Sequence, residues 1–286
     1  MTNSVLRPSP LGHKKLNKVE VASSTTWYAW YGTHYGKAPQ RPINTNYSLR
    51  AIHHKRNTHT LFTMLESVVT HNFDAVALLR YGRFDESAFL LRKAVEMVQM
   101  AGQLPLEHSP EKMRARVASV PLQDLPVSQA SSFPLFAKGF ILERATFLPN
   151  NDEMAPLCAS LCLYNLALGV HLKGLARGSA SALERAASLY RKVYNILSSY
   201  TPSSADSSRA ILLAAVVNII ACESELRGPG ATATQPWKEV YNQVFSQVTS
   251  TSQDLSAMME QPDELTFFTS SAVFYANQNL SAAPAA

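Results

Sequence analysis

Cys158 and Cys162 stand four residues apart, which places both thiols on one face of a helix, and His171 follows two to three turns later. Thiolate and imidazole are preferred ligands of Zn²⁺, so this spacing admits a metal site. No second ligand pair with the usual zinc spacing follows, and free cysteines behave mostly as small hydrophobic residues. The favoured interpretation is therefore buried packing thiols, without a bound metal or cofactor.

Three further histidines, His53, His54 and His59, lie close together near the N-terminus. Such a cluster can bind a metal ion, but a flexible, solvated tract is the favoured interpretation. The sequence contains no G-x-x-x-x-G-K-[ST], no G-x-G-x-x-G, no G-x-S-x-G and no H-E-x-x-H, which are common motifs of phosphate-binding, dinucleotide-binding and hydrolytic sites. We therefore expect no enzyme activity and predict no catalytic residue.

Basic and aromatic residues are concentrated near the N-terminus. Residues 1–60 carry a net charge of +8, whereas the whole chain carries +5, so residues 61–286 carry −3. Basic residues beside aromatic ones such as Trp27, Trp30 and Tyr35 are the combination that single-stranded nucleic acid requires for charge neutralisation and base stacking. Two alternatives stay open: a transit peptide, and the favoured one, aromatic side chains packed on the rest of the protein.

Length and cysteine usage bound the class of protein. The 286 residues, 46% of them hydrophobic, suffice for one main domain with an appended arm. The odd number of cysteines and the missing hydrophobic leader favour an intracellular setting, cytoplasmic or nuclear, with organellar targeting left open. The longest apolar run, residues 210–222, is interrupted by Asn218 and is shorter than the roughly 20 residues of a membrane-spanning helix. We expect a buried core helix there and no membrane span.

The chain divides into an arm and a helical domain. Residues 1–56 lack helical apolar periodicity and are expected to be largely irregular. From residue 57 onward apolar residues recur every three or four positions, and Gly82 separates two helical stretches with the permissive backbone of a tight turn. An irregular insertion is predicted at about residues 102–155, where prolines interrupt the pattern.

Two further helical pairs follow the insertion. One comprises residues 156–172 and 180–200, joined by a small-residue linker at 174–179, and the other comprises residues 207–226 and 237–259. Within the insertion, the bulky stretch 136–147 is expected to form a strand or short helix that packs against the helices. The tail, residues 265–275, is rich in β-branched and aromatic residues, so it could pair with that stretch as a two-stranded ribbon.

Two segments carry a family resemblance. In residues 72–94, the turn glycine Gly82 precedes a helix with a small, a large and a small side chain at Ser87, Leu91 and Ala94. In residues 163–174, Asn165 begins a polar, large, small sequence. These segments resemble the repeats of the tetratricopeptide (TPR) superfamily, and together with the apolar tail they look like TPR-like proteins of microalgae.

The resemblance extends from about Thr60 to the C-terminus. It implies a mainly α fold of about three irregular antiparallel helical hairpins, and a small two-stranded β element and a poorly ordered N-terminal arm complete the predicted fold. It also implies an interaction scaffold without known enzyme activity. The set of basic residues that clamps a C-terminal carboxylate is not recognisable, so binding of chaperone tails is not predicted.

In TPR architecture, polar residues on the first helix of each pair line a groove that binds a partner segment. Asn165 is the best candidate, because an asparagine at that place can hydrogen-bond a ligand backbone; it could equally bond a neighbouring helix. Asn72, His71 and Asn218 are further candidates. The predicted function is a non-catalytic scaffold or adaptor for a protein partner. The alternatives are a nucleic-acid-associated protein that uses residues 1–56, and a structural subunit of a larger assembly.

Overall fold

The computed structural model describes residues 47–101, 117–122, 133–143, 154–199, 206–228, 231–251 and 262–281. The predicted mainly helical fold with a small two-stranded β element is confirmed. In the described residues the helices are α1 (Tyr47–Arg80), α2 (Phe84–Ala101), α3 (Met154–Arg177), α4 (Ala180–Ser198), α5 (Asp206–Arg227), α6 (Gln235–Thr251) and α7 (Pro262–Ser281), and the strands are β1 (Val117–Pro121) and β2 (Lys138–Leu142).

Helix α1 begins at Tyr47, whereas the apolar pattern placed the start of the helical domain near residue 57. Residues 48–59 contain no glycine or proline, so nothing in them breaks a helix even though they lack an apolar stripe. Residues 47–56 are therefore helical, unlike the irregular chain predicted there. The rest of the predicted arm, residues 1–46, lies outside the described residues.

A glycine turn joins α1 to α2, as predicted. Arg83 N–H donates to the Leu78 carbonyl and Gly82 N–H to the Leu79 carbonyl, both at 3.0 Å, which is the hydrogen-bond pair of a Schellman motif. Gly82 has φ +70°, a conformation that glycine adopts without a Cβ penalty. The buried residues of α2 recur every three or four positions, on one helical face: Ser87, Leu91, Ala94, Val98 and Ala101.

The same motif ends α3, which corrects the predicted linker at 174–179. Helix α3 continues to Arg177, and only Gly178 and Ser179 separate it from α4. Ser179 N–H donates to the Gly174 carbonyl at 2.9 Å, and Gly178 has φ +59°. Gly174 lies inside the helix, and a Cβ at this position would come within 3.0 Å of the Leu183 side chain on α4. Its small size therefore serves a helix crossing and not a loop.

The predicted third pair corresponds to α5 and α6. Helix α5 is buried almost all round, as the central helix of a core is. Helix α6 ends at Thr251, and residues 252–259 of the predicted helix lie outside the described residues.

The predicted ribbon between residues 136–147 and 265–275 is wrong. Strand β2 pairs antiparallel with β1, with Val117 opposite Leu142 and Pro121 opposite Lys138. Residues 265–275 lie within α7. The buried positions of α7 recur at helical spacing, which the β-branched and aromatic composition concealed: Glu264, Phe268, Ser271 and Tyr275.

From α1 to α6, each helix packs against the next one in sequence. Helix α3 also contacts α1 and α5, and β2 lies against α1 and α3. We call the surface of α1, α3 and α5 that contacts residues 133–143 the first-helix face. One described stretch, Ala155–Arg177 in α3, is long and apolar enough to cross a membrane by length and composition, but 67% of its apolar window is buried inside the protein, as in a core helix.

Candidate functional site

Three of the four predicted site residues meet on the first-helix face. Asn72 lies on α1, Asn165 on α3 and Asn218 on α5, and all three side chains are buried. They contact one continuous stretch of the chain, residues 133–143, which we call the bound segment. It consists of an irregular lead, residues 133–137, strand β2, and Glu143 after the strand. These three asparagines hydrogen-bond the backbone of the same chain, and their binding of a partner segment stays a prediction.

The amide of Asn165 forms two hydrogen bonds with the backbone of Phe140. Its Oδ1 accepts the Phe140 N–H at 2.9 Å, and its Nδ2 donates to the Phe140 carbonyl at 2.7 Å. Nδ2 also donates to Oδ1 of Asn72 at 2.7 Å, and Asn72 Nδ2 donates to the same Phe140 carbonyl at 3.0 Å. A flipped Asn165 amide would place a donor against the Phe140 N–H, so this pattern determines its orientation.

The asparagines cover one edge of strand β2. Ser119 of β1 is the register partner of Phe140. In an antiparallel pair, alternate residues direct their backbone groups away from the partner strand, and those of Phe140 point to Asn165 and Asn72. An uncovered strand edge presents unpaired donors and acceptors. At Phe140, two side-chain amides take the place of a neighbouring strand.

Asn218 repeats this arrangement four residues earlier in the bound segment. Its Oδ1 accepts the Phe136 N–H at 2.9 Å, and its Nδ2 lies 3.3 Å from the Phe136 carbonyl. Nδ2 also lies 3.0 Å from the Tyr164 hydroxyl and 3.1 Å from the Tyr190 hydroxyl. Tyr164 in turn donates to the Phe136 carbonyl at 3.0 Å. Both backbone groups of Phe136 are thus paired with side chains of the first-helix face.

Burial keeps these hydroxyls protonated. It raises the pKa of Tyr164 and of Tyr190 well above the usual value, and the hydrogen bond from Asn218 opposes that effect only in part. A protonated hydroxyl donates as well as accepts, so Tyr164 can receive the Asn218 amide while it donates to Phe136. The cluster is a neutral hydrogen-bond network and carries no titratable charge of its own near pH 7.

His71, the fourth predicted residue, does not join the cluster. Its ring is half-buried, and Nδ1 lies 2.7 Å from the carbonyl of Ser67, one turn earlier in α1. A carbonyl only accepts, so Nδ1 carries the proton. The side chain is committed to its own helix, and the structure places no part of the bound segment on it.

Aromatic side chains hold the bound segment from both sides. The Phe136 ring stacks on Phe268 of α7 with a centroid distance of 5.1 Å, and Phe267 meets it edge-on at 5.3 Å. The Phe140 ring meets Tyr164 edge-on at 4.9 Å. Such pairs stabilise by about 0.5–1.5 kcal/mol beyond their buried area. Helix α7 therefore covers the segment that the asparagines hold.

Two further features of the segment were not predicted. Lys138 is buried and lies 3.4 Å from Asp263 and 3.7 Å from Glu264 at the start of α7, and Ser119 donates to Glu264. Gly139 approaches α1 so closely that a Cβ would lie 3.0 Å from Val76 Cγ1. A lysine and a glycine inside an apolar stretch were the available signals, but neither identifies its partner in a distant helix.

Of the residues considered for metal binding, Cys158, Cys162 and His171 lie in the core, and the side chains of His53, His54 and His59 lie outside the described part of the chain. Cys158, Cys162 and Cys222 are buried free thiols, and burial raises the pKa of Cys158 to about 12. Burial also lowers the pKa of His171 to about 3, and neither of its ring nitrogens has a hydrogen-bond partner among the described residues. Within the same ranges no group of three histidine, cysteine or acidic side chains comes together. The described residues thus supply no ligand set for a metal.

Comparison with known proteins gives no match. No protein-family model matches the sequence, and neither a curated protein nor a solved structure matches it significantly.

Proposed function

We propose that this protein is a non-catalytic, TPR-like binding scaffold whose first-helix face holds a non-helical segment of a partner protein by its backbone. One observation carries the proposal: Asn165 and Asn218 each pair with both the N–H and the carbonyl of one residue in the bound segment. The two residues so held, Phe140 and Phe136, lie four positions apart. The face therefore has the chemistry of a peptide-binding surface, with the chain's own segment as its occupant.

The chemistry of the asparagine side chain supports this function. Its amide offers one acceptor and two donor hydrogens, which match the donor and acceptor of a peptide group. Every residue except proline carries that pair, so the contact suits polypeptides of many sequences. Backbone pairing combined with apolar pockets is a common mode of peptide recognition. A partner segment would use the same asparagines after the bound segment leaves.

Photo-crosslinking in extracts of the native cell tests the proposal. A benzophenone amino acid in place of Phe267, whose ring touches Phe136, reports on the occupant of the first-helix face. The matched control carries the same group in place of Phe89, an aromatic residue of α2 that is 53% exposed. Crosslinks to residues 133–143 of the same chain serve as an internal positive control.

The expected result is a partner protein that crosslinks through position 267 and not through position 89. Mass spectrometry should place the crosslink in a short segment of that partner. A partner set that crosslinks only through position 89 would contradict the proposal, because partners would then bind on the outer surface of α2.

A structural subunit is the second candidate, and one observation favours it: the amides of the three asparagines are already bonded within the chain. A subunit of this kind would use its helices as packing surface and never open the first-helix face. A monodisperse monomer in native extract, measured by sedimentation, would count against it. The nucleic-acid role of residues 1–56 stays a prediction from the sequence.

A further inference from the structure

We infer that the bound segment is a tethered competitor for the first-helix face, and that the partner segment displacing it carries the same pattern: an aromatic residue, any residue, a basic residue, glycine and a second aromatic residue. In this chain the pattern is Phe136-Ala137-Lys138-Gly139-Phe140. The inference rests on the proposed function and adds the class of ligand. Each specified position of the pattern, that is the two aromatic residues, the basic residue and the glycine, has its own physical reason.

The backbone contacts do not choose between ligands. Within the bound segment, Asn165 and Asn218 bind the N–H and carbonyl groups of Phe140 and Phe136, which other residues also present. Selectivity therefore has to come from side chains of the segment. Four positions of the segment are constrained by their surroundings, in three different ways.

The first constraint is the pair of aromatic rings. Phe136 and Phe140 are each 2% exposed, and their rings stack on each other at 5.7 Å. The site thus favours two stacked aromatic residues four positions apart, lodged between Tyr164 and Phe268.

The second constraint is the glycine. A Cβ on Gly139 would lie 3.0 and 3.2 Å from the two γ-carbons of Val76. Val76 is itself buried, so it has little room to move in a close-packed interior. A ligand with a larger residue at this position would lift the second aromatic residue away from Asn165.

The third constraint is charge. Glu264 is 5% exposed, and it receives Lys138 and Ser119 as partners. Loss of the cationic partner of a buried carboxylate strongly destabilises the folded protein. When the bound segment leaves, Glu264 and Asp263 lose Lys138 as their cationic partner. A ligand with a basic residue at the same position supplies that partner again.

Tethering makes the bound segment a strong competitor. A segment that belongs to the same chain as its site competes at a high effective concentration. A peptide from solution can bind only those molecules whose first-helix face is free of the bound segment. Its apparent affinity is therefore reduced in proportion to that small fraction of molecules. A change that weakens only the tethered copy should tighten binding of the outside peptide by the same factor.

The experiment titrates a fluorescent peptide with the sequence of residues 133–143 into three forms of the full-length protein. These are the wild type, Phe140→Ala, which weakens the tethered copy alone, and Phe89→Ala, the same change on the exposed side of α2. We expect the peptide to bind Phe140→Ala at least tenfold more tightly than the other two. A peptide with valine at the position of Gly139 should bind none of them.

Native-state hydrogen exchange of the wild type keeps the test decisive if Phe140→Ala does not fold. The amides of Phe136 and Phe140 should exchange through a local opening with weak denaturant dependence, unlike the amides of Val217 and Ile220 in α5. Exchange of all four amides only through global unfolding would overturn the inference.

Other results separate the inference from the proposed function. If Phe140→Ala binds peptides that lack the pattern as tightly as those that carry it, the ligand class is wrong while the scaffold function stands. If Phe140→Ala forms a dimer that exchanges its segments, the competitor is a second copy and the inference falls. Crosslinks that avoid position 267 contradict the scaffold function itself.

Discussion

Asn165 and Phe140 form a pair in which one side-chain amide satisfies a complete set of backbone groups: Oδ1 accepts the Phe140 N–H, and Nδ2 donates to the Phe140 carbonyl. Asn165 is fully buried, and the second hydrogen of its Nδ2 goes to Asn72. Each polar atom of this amide therefore has a specific partner. The isosteric change to aspartate replaces both donor hydrogens by an acceptor oxygen and adds a negative charge.

Asn165→Asp should destabilise the protein by at least about 3 kcal/mol, because it places a buried carboxylate against two acceptor oxygens. The measurement is the free energy of unfolding in urea at pH 7. Asn195→Asp on the exposed side of α4 is the matched control and should change stability by less than about 0.5 kcal/mol. Equal effects of the two changes would show that the buried amide contacts contribute nothing.

Gly139 and Val76 should show energetic coupling. Gly139→Ala adds a Cβ within 3.0 Å of Val76 and should cost about 1–3 kcal/mol through overpacking. In a Val76→Ala background the added methyl group gains room, so the same change should cost at least about 1 kcal/mol less. A double-mutant cycle of unfolding free energies measures this difference, and additive effects would show that the two residues do not touch.

His171 should make stability fall in mild acid. Burial lowers its pKa from 6.5 to about 3 in the folded protein, so the unfolded chain takes up a proton first. This group leaves the free energy of unfolding unchanged above about pH 6.5 and lowers it progressively as the pH falls from 6.5 toward 3. Between pH 7.5 and pH 5 the loss from this one group should be about 2 kcal/mol.

The matched variant for this pH dependence is His171→Leu. Its unfolding free energy should fall less steeply from pH 7.5 to pH 5 than that of the wild type, because the group that protonates on unfolding is gone. The ring nitrogens have no partner among the described residues, so a buried apolar side chain loses no hydrogen bond there. Parallel pH profiles for the two proteins would show that His171 is not buried.

Gly178→Ala isolates the backbone requirement of the turn between α3 and α4. Nothing lies within 4 Å of the added Cβ, and Gly178 has φ +59°, so backbone strain is the main expected cost, about 1 kcal/mol. Gly178→Asn should cost less, since asparagine tolerates this conformation better. Urea unfolding of both variants measures the order, and a reversed order would contradict the left-handed turn.

The sequence predicted the features that depend on nearby residues. Gly82 marks a turn, and the spacing of Ser87, Leu91 and Ala94 marks the buried face of α2, because both signals are local. It did not predict that Val117 lies opposite Leu142, since strand pairing joins positions far apart in the chain. Composition also misled the assignment of residues 265–275, where helical spacing outweighs β propensity.

Binding of a partner segment by Asn165, Asn72 and Asn218 stays a prediction, and what the structure shows is that each of them hydrogen-bonds the backbone of the chain's own bound segment. That segment was expected to pack against the helices and to pair with residues 265–275, not to lie on the asparagines. Its position on the asparagines depends on how the chain returns across three helices, which periodicity does not encode.

Amide hydrogen exchange tests the role of Asn165 as a backbone clamp most directly. The rate at Phe140 is compared between the wild type and Asn165→Ala, with Ile220 of α5 as the reference for global unfolding. We predict that Phe140 loses at least tenfold more protection than Ile220, while Phe136, held by Asn218, is less affected. Equal loss of protection at Phe140 and Ile220 would contradict the clamp, because the amide of Phe140 would then depend only on the stability of the whole fold.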